Sequence, residues 1–232
     1  VDYCIDTLAE EWLKLQNQSD AHSLFLSWEW MHSWLANISI KPKLYRFQID
    51  DEMIGLCFIS EQRECFKGFS QKSMLLNQTG KQTDDQVWIE YNNILCAAEY
   101  ETACWRALIN DFILNSSSDK FYISTAAPCL KDVVSQSNSY VNIEPVLAYK
   151  TTLQANYSDI QNYLNSLSKN SRTQIRKALK FNELNYGELL IRRLDANEYT
   201  CHLPEIAKLH QARWGVKPEG SGFSNITFND FH

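Results

Sequence analysis

Apolar side chains recur along this chain in two periods, and the switch from one to the other marks its elements. Residues 3–5 open with a short β-like run. The stretch 8–15 then has helical spacing, with Trp12 on the apolar side. In the segment LFLSWEWMHSWL, Ser27 is a predicted N-cap; Trp30, Met31 and Trp34 share one face, and Glu29 falls in the first turn. Residues 44–49 and 53–59 are β-rich runs separated by Asp50, Asp51 and Glu52, which predicts an antiparallel hairpin with an acidic turn. Further strands are expected at 73–78, 87–95 and 121–124. A helix is expected over 97–114, with Trp105, Leu108, Ile109 and Phe112 on one face. Pro128 is placed at the first turn of a short helix ending near Gln136, and 141–153 reads as a β-rich stretch interrupted by Pro145. Helices and strands in this order give an α/β (α+β) class with a mixed sheet flanked by helices.

The second region begins with a helix over 157–167. It continues through SLSKNSRTQIRKALKFNELNYG, which combines a helical period with one-sided charge. With Ser171 as the N-cap, Arg172, Arg176 and Lys180 recur at four-residue spacing on one face, and Lys169 lies just before the helix. Ile175, Ala178 and Leu179 form a neighbouring stripe suited to packing on a core, and Gly187 is the expected stop. A strand over 188–194 and a helix over 204–214, started by Pro204, follow. The terminal segment GVKPEGSGFSNITFNDFH reads as a glycine-bearing loop leading to another helix.

Composition narrows the classes. The chain has 232 residues, 44% hydrophobic and 22% charged, which allows a substantial core and excludes a disordered composition. Its formal charge is −6, so bulk attraction to DNA or an anionic membrane is not expected, and anion binding has to come from a local patch. Five Lys or Arg residues between Lys169 and Lys180, with no acid among them, supply that patch. Cations at the start of a helix gather phosphate, pyrophosphate or carboxylate, although a solvated surface face would read the same way. The seven cysteines are scattered, without a C-x-x-C pair, and are expected to be reduced thiols in a cytoplasmic protein with no metal site. No apolar run approaches the length that crosses a bilayer.

Three segments, LFLSWEWMHSWL, YLNSLSKNSRTQIRKALKFNELNYG and LHQARWGVKPEGSGFSNITFNDFH, together resemble the acetyltransferases called CelD-like or BioF2-like, within the GNAT superfamily. The middle segment is also similar to the basic helix of the Fem aminoacyl transferases. The resemblance implies two tandem GNAT-like domains: a first over 1–150, and a second beginning at 151–232 and incomplete here, because the family's second domain continues past the point matching His232. It implies an acyl-CoA donor, bound mainly by residues beyond His232, and a small-molecule or nucleotide-linked acceptor. The expected substrate- and anion-binding residues are Lys169, Arg172, Arg176, Lys180, Trp214 and Phe223.

KPEGSG, at 217–222, is the nearest stretch to a GNAT pyrophosphate loop. Its first residue is wrong and Pro218 removes an amide donor, so it is expected to be a turn that presents Phe223. No nucleophile elbow, Walker lysine loop or H-E-x-x-H motif occurs. His210 and His232 flank the terminal motif, but a lone histidine is usually structural, and the catalytic base stays unassigned. The expected activity is acyl transfer from acyl-CoA to an amine or hydroxyl of a sugar or cell-envelope precursor. An aminoacyl-tRNA-dependent transferase of the Fem kind, or a non-catalytic scaffold, are the alternatives.

Overall fold

The computed structural model describes residues 3–19, 23–66, 68–126, 130–137, 140–147, 159–216 and 220–232. The chain divides into two compact units: Val1–Glu144 with Ala207–His232, and Pro145–Ile206. In the first unit, helices α1 (Ile5–Gln18) and α2 (Trp28–Asn37) precede the hairpin β1 (Lys43–Ile49) and β2 (Glu52–Phe66), followed by β3 (Phe69–Leu76). A short α3 (Gln82–Asp85), the two-residue β4 (Leu95–Cys96), α4 (Glu101–Asn115), β5 (Lys120–Tyr122) and α5 (Leu130–Val134) complete the run to Glu144. The sheet is mixed: β1, β2 and β3 form an antiparallel meander, and β5 adds to β3 in parallel after the crossover through α4.

The acidic turn forms as expected. Asp50 and Asp51 both take positive φ, 48° and 65°, which is the left-handed geometry a two-residue hairpin loop needs. Both faces of β2 are covered. Leu56 and Phe58 pack with Leu8, Trp12, Leu15, Met31 and Trp34 of α1 and α2. Cys57 and Ile59 pack with Cys104, Trp105 and Leu108 of α4 and with Leu130 and Val133 of α5. A strand enclosed on both sides reads as an unbroken apolar run, and 54–59 is one. Ile54 has no partner in the β1 ladder, so a bulge falls there, and both Ile54 and the Cα–H of Gly55 look toward α4.

One edge of β2 is closed in three pieces. β3 pairs with residues 59–66, β4 pairs with Gly55 and Leu56, and Asn77 fills the gap between them. The Asn77 amide donates to the Phe58 carbonyl at 2.8 Å, and the Phe58 amide donates to Asn77 Oδ1 at 2.9 Å. Asn77 Nδ2 then donates to Asn92 Oδ1 and to the Asn93 carbonyl, both at 2.9 Å, and Asn92 Nδ2 donates to the Leu76 carbonyl. Asn77 adopts a φ of 46°, a left-handed conformation that asparagine tolerates better than most residues. Both side chains are buried and hydrogen-bonded, as burial of amides requires.

Several expectations need correction. Residues 87–95 do not form a strand beyond β4. Trp88 and Tyr91 take positive φ, which breaks an extended run, and Asn92 turns inward to Asn77. β3 begins at Phe69, earlier than expected, and ends at Leu76, where Asn77 leaves the ladder. The chain at 3–4 has no strand, because α1 starts at Ile5. Residues 141–147 are irregular; the rest of that expected strand, and Pro128, lie outside the described residues. Trp34 is buried at 3% exposure, but Trp30 is only half-buried, against Phe25 and Phe231. The deeper anchor is Trp12, fully enclosed, with its indole N–H on the Leu26 carbonyl at 2.8 Å.

Trp34→Ala should lower the unfolding free energy by about 3–5 kcal/mol and Trp30→Ala by well under that; equal denaturation midpoints for the two variants would contradict this placement. Asn77→Ala leaves two buried groups, the Phe58 amide and Asn92 Oδ1, without partners, and the part-buried Asn93 carbonyl without its side-chain donor. At about 1–3 kcal/mol for each of the two buried groups, urea denaturation should show a loss of about 2–6 kcal/mol.

Candidate functional site

The second unit contains α6 (Ile160–Ser166), α7 (Lys169–Tyr186) and the N-terminal part of α8 (Ala196–Trp214). The α7 cap is Ser168, three residues before the expected Ser171: Ser168 Oγ accepts from the Ser171 amide at 3.2 Å. Either serine could have served, and the earlier one places Lys169 inside the first turn. Gly187 ends the helix as expected, at φ 90°, with its amide on the Glu183 carbonyl.

Four of the five cations on α7, Lys169, Arg176, Lys177 and Lys180, are exposed and form no ion pair among the described residues. Arg172 differs. Its Nη1 donates to the carbonyls of Asn165 at 3.1 Å and Leu167 at 2.6 Å, so it ties the start of α7 to the open end of α6. The expected core stripe is corrected here: α7 contributes no buried side chain, Ile175 is half-buried and Leu179 is 44% exposed. The reason lies in the short partner. The seven residues of α6 bury one side chain, Leu164, and cannot cover 18 residues of α7.

The strand expected at 188–194 is also absent, since no described residue offers it a ladder partner. α8 starts at Ala196 and runs through Pro204 instead of beginning there. The start signal is a reciprocal cap, overlooked in the sequence: Asp195 Oδ1 accepts from the amides of Asn197 and Glu198, and the Asp195 amide donates to Glu198 Oε2.

In the first unit, the terminal motif forms a second cluster. Trp214 and Phe223 both lie beside His210, with ring centroids 6.1 Å and 5.4 Å away. His210 Nδ1 shares a hydrogen bond with Ser221 Oγ at 2.9 Å, and Ser221 is buried at 1% exposure. That bond fixes the imidazole, and an enclosed hydroxyl is not placed to attack a substrate. Gly222 is required by close packing, because a Cβ there would lie 2.8 Å from the Phe228 ring. His232 Nδ1 contacts the Phe228 carbonyl at 2.9 Å. α9 (Ile226–Phe231) docks on the first-unit helices: Ser33 Oγ donates to the Phe231 carbonyl, and Asn225 Nδ2 donates to the Thr83 carbonyl and Gln86 Oε1. Neither Ser221 nor Asn225 stood out in the sequence, where both look like loop polar residues. Lys217, Pro218 and Glu219 of the glycine-bearing loop lie outside the described residues.

The α3 platform under α9 carries a perturbed carboxylate. Burial pushes the Asp85 pKa above its ordinary value, although the Thr79 and Gly80 amides and the Thr79 hydroxyl all donate to it. A cavity of about 250 Å³ opens elsewhere in the unit, lined by Leu26, Tyr91, Asn93, Cys96 and Glu101 among others. Among the described residues no group of three His, Cys, Asp or Glu side chains is placed to hold a metal ion, and no helix is long and apolar enough to cross a membrane. No protein-family model, curated protein or solved structure matches this chain.

Arg172→Ala should lower the melting temperature and the helical circular dichroism, because the α6 carbonyls lose their donor, whereas Arg176→Ala should leave both unchanged; identical losses would remove the distinction between the two arginines. Carbon-13 NMR titration should place the Asp85 midpoint above about 3.9. The folded-state value is raised, so the linked stability is fully present below the unfolded-state value and is lost as pH rises through the folded-state midpoint. A midpoint at or below the free value would contradict the burial argument.

Proposed function

We propose that this chain is a GNAT-like N-acyltransferase of the CelD-like class, working in the cytoplasm. It takes an acyl group from acyl-CoA and passes it to an amine or hydroxyl of a sugar or cell-envelope precursor. One observation carries the reading: the exposed cation row of α7, Lys169, Arg176, Lys177 and Lys180, has no ion-pair partner among the described residues. Cations compensated by acids would be an ordinary surface; an uncompensated row beside a serine-capped helix start suits phosphate oxygens. The mixed sheet flanked by helices supports the same reading, as a scaffold of the expected class.

The residues present fit the phosphates of acyl-CoA or of a nucleotide-linked acceptor, with Lys169, Arg176 and Lys180 as point contacts. Arg172 contributes charge while its Nη1 holds the α6 carbonyls, which leaves Nε and Nη2 as further donors. In the other unit, Trp214 and Phe223, also expected as substrate-binding residues, present aromatic surface around His210. The acyl-CoA thioester supplies an activated carbonyl. Transfer further needs a base for the acceptor proton and donors for the oxyanion, and neither role is assigned to a residue here.

Calorimetric titration of the chain with CoA, and separately with a nucleoside diphosphate sugar, tests the proposal. Arg176→Ala combined with Lys180→Ala should weaken binding of at least one probe by about tenfold, with part of the affinity lost at raised salt because the row is exposed. Equal affinity of parent and variant for both probes would overturn the reading. Saturable binding of aminoacyl-tRNA in place of both, with a steep salt slope, would move it to the Fem-like class.

A further inference from the structure

In the cavity beside Asn93 a carboxylate is held in a fixed orientation and left without a counter-charge. Glu101, the first residue of α4, contributes a half-buried side chain to the wall. Its Oε1 accepts from Asn93 Nδ2 at 2.5 Å. Asn93 is itself braced: its Oδ1 accepts from the Ile94 amide and from the Trp105 indole N–H, both at 2.8 Å, and its carbonyl accepts from Asn77. Trp105 is fully enclosed, so the carboxylate is propped against the interior of the unit. Glu101 forms no ion pair among the described residues, and its Oε2 has no hydrogen-bond partner among them. An acid suits the first turn of any helix; the brace and the cavity are what an ordinary first-turn acid lacks.

The rest of the wall decides what this carboxylate can pair with. Leu26, Ile94, Leu95 and Ala98 are apolar, Tyr91 brings an exposed aromatic ring, and none of the described lining residues is a cation. An anion would meet Glu101 with nothing to offset the repulsion. An uncharged apolar molecule would shut the carboxylate away from water without a partner, which is costly. A metal ion would lack ligands, since no group of three acidic, histidine or cysteine side chains is placed to hold one among the described residues. An organic ammonium ion satisfies both halves of the cavity: its N–H groups donate to the carboxylate, and its hydrocarbon covers the apolar wall.

We propose that this cavity binds a small organic ammonium ion, with Glu101 Oε2 as its counter-ion and Leu26, Ile94 and Leu95 against its hydrocarbon. The face of the Tyr91 ring adds a further preference for a cation. A volume of about 250 Å³ corresponds to about eight waters of liquid, which sets the ligand at about the size of a six-membered ring with one substituent. The cavity lies within the first unit and the α7 cations lie in the second, so this proposal and the phosphate-binding reading stand or fall separately.

The test is an amide chemical-shift titration of the chain with three probes of one shape: cyclohexylammonium, cyclohexanol and cyclohexanecarboxylate. Cyclohexylammonium should give saturable shifts at Ile94, Leu95 and Glu101. Cyclohexanol should bind more weakly by about tenfold or more, and cyclohexanecarboxylate should give no saturable response. Glu101→Gln keeps an acceptor for Asn93 Nδ2 but removes the charge, and should reduce the affinity for the ammonium to that for the alcohol. Ala98→Phe changes an exposed position of the wall, leaves the carboxylate in place and takes up volume, so it should weaken the ammonium at least severalfold. Amide dispersion shows whether each variant is folded. Equal affinity of the parent for ammonium and alcohol would overturn the proposal, as would the absence of saturable shifts at these three amides. A folded Glu101→Gln that binds the ammonium as tightly as the parent would overturn it too; if that variant does not fold, unchanged affinity in Ala98→Phe does so alone.

Discussion

The amide and carbonyl of Phe58 set the constraint from which the first unit is built. β2 is enclosed on both faces, so none of its backbone groups can turn to water, and every one along 54–59 must find a partner in the protein. β1 supplies one edge apart from the bulge at Ile54. On the other edge β3 stops at Leu76 and β4 begins only opposite Leu56, and the groups of Phe58 between them would be stranded without Asn77. The amide of Asn77 in turn needs Asn92, and Asn92 needs the Leu76 carbonyl. The irregular loop between α3 and β4 is therefore held in place by the need to satisfy a strand that it does not join.

The same strand determines how helices approach the sheet. The bulge at Ile54 shifts the alternation of side chains, so that Ile54 and the open side of Gly55 both face α4. Without a Cβ at Gly55, α4 sits close enough for Cys104 Sγ to fill the space beside it. Trp105, one residue on, is buried and donates its indole N–H to Asn93 Oδ1 at 2.8 Å. The polar bridge on the strand edge and the packing of α4 on its face thus meet in one short loop, 92–96.

Much of the first unit was legible because its signals are local. The acidic turn at Asp50 and Asp51, the cap at Ser27, and the helical stripe of Trp105, Leu108 and Ile109 each need only neighbouring residues to act. What escaped the sequence is non-local or depends on a partner. Asn77 and Asn92 look like turn residues until β2 is seen to lack an edge there. Residues 188–194 have strand composition, but strand composition forms no strand without a ladder to join. Trp30 and Trp34 read alike on a helical wheel, and only their partners separate them: Trp34 packs on Phe58 of β2, and Trp30 on Phe25 and Phe231. The cations of α7 were visible as a row, yet the binding of Arg172 to the α6 carbonyls was not, because it depends on where α6 ends.

The docking of α9 on α2 joins residues 198 apart, from Ser33 to Phe231. Synthesis runs from the N-terminus at about 5–20 residues per second, so α2 waits about 10–40 seconds on the ribosome before the segment that covers its outer face has been made. Throughout that interval Trp30 and its neighbours are an uncovered aromatic surface on an otherwise folded layer. A chaperone that recognises exposed aromatics would find this surface on the nascent chain and lose it once Phe231 arrives.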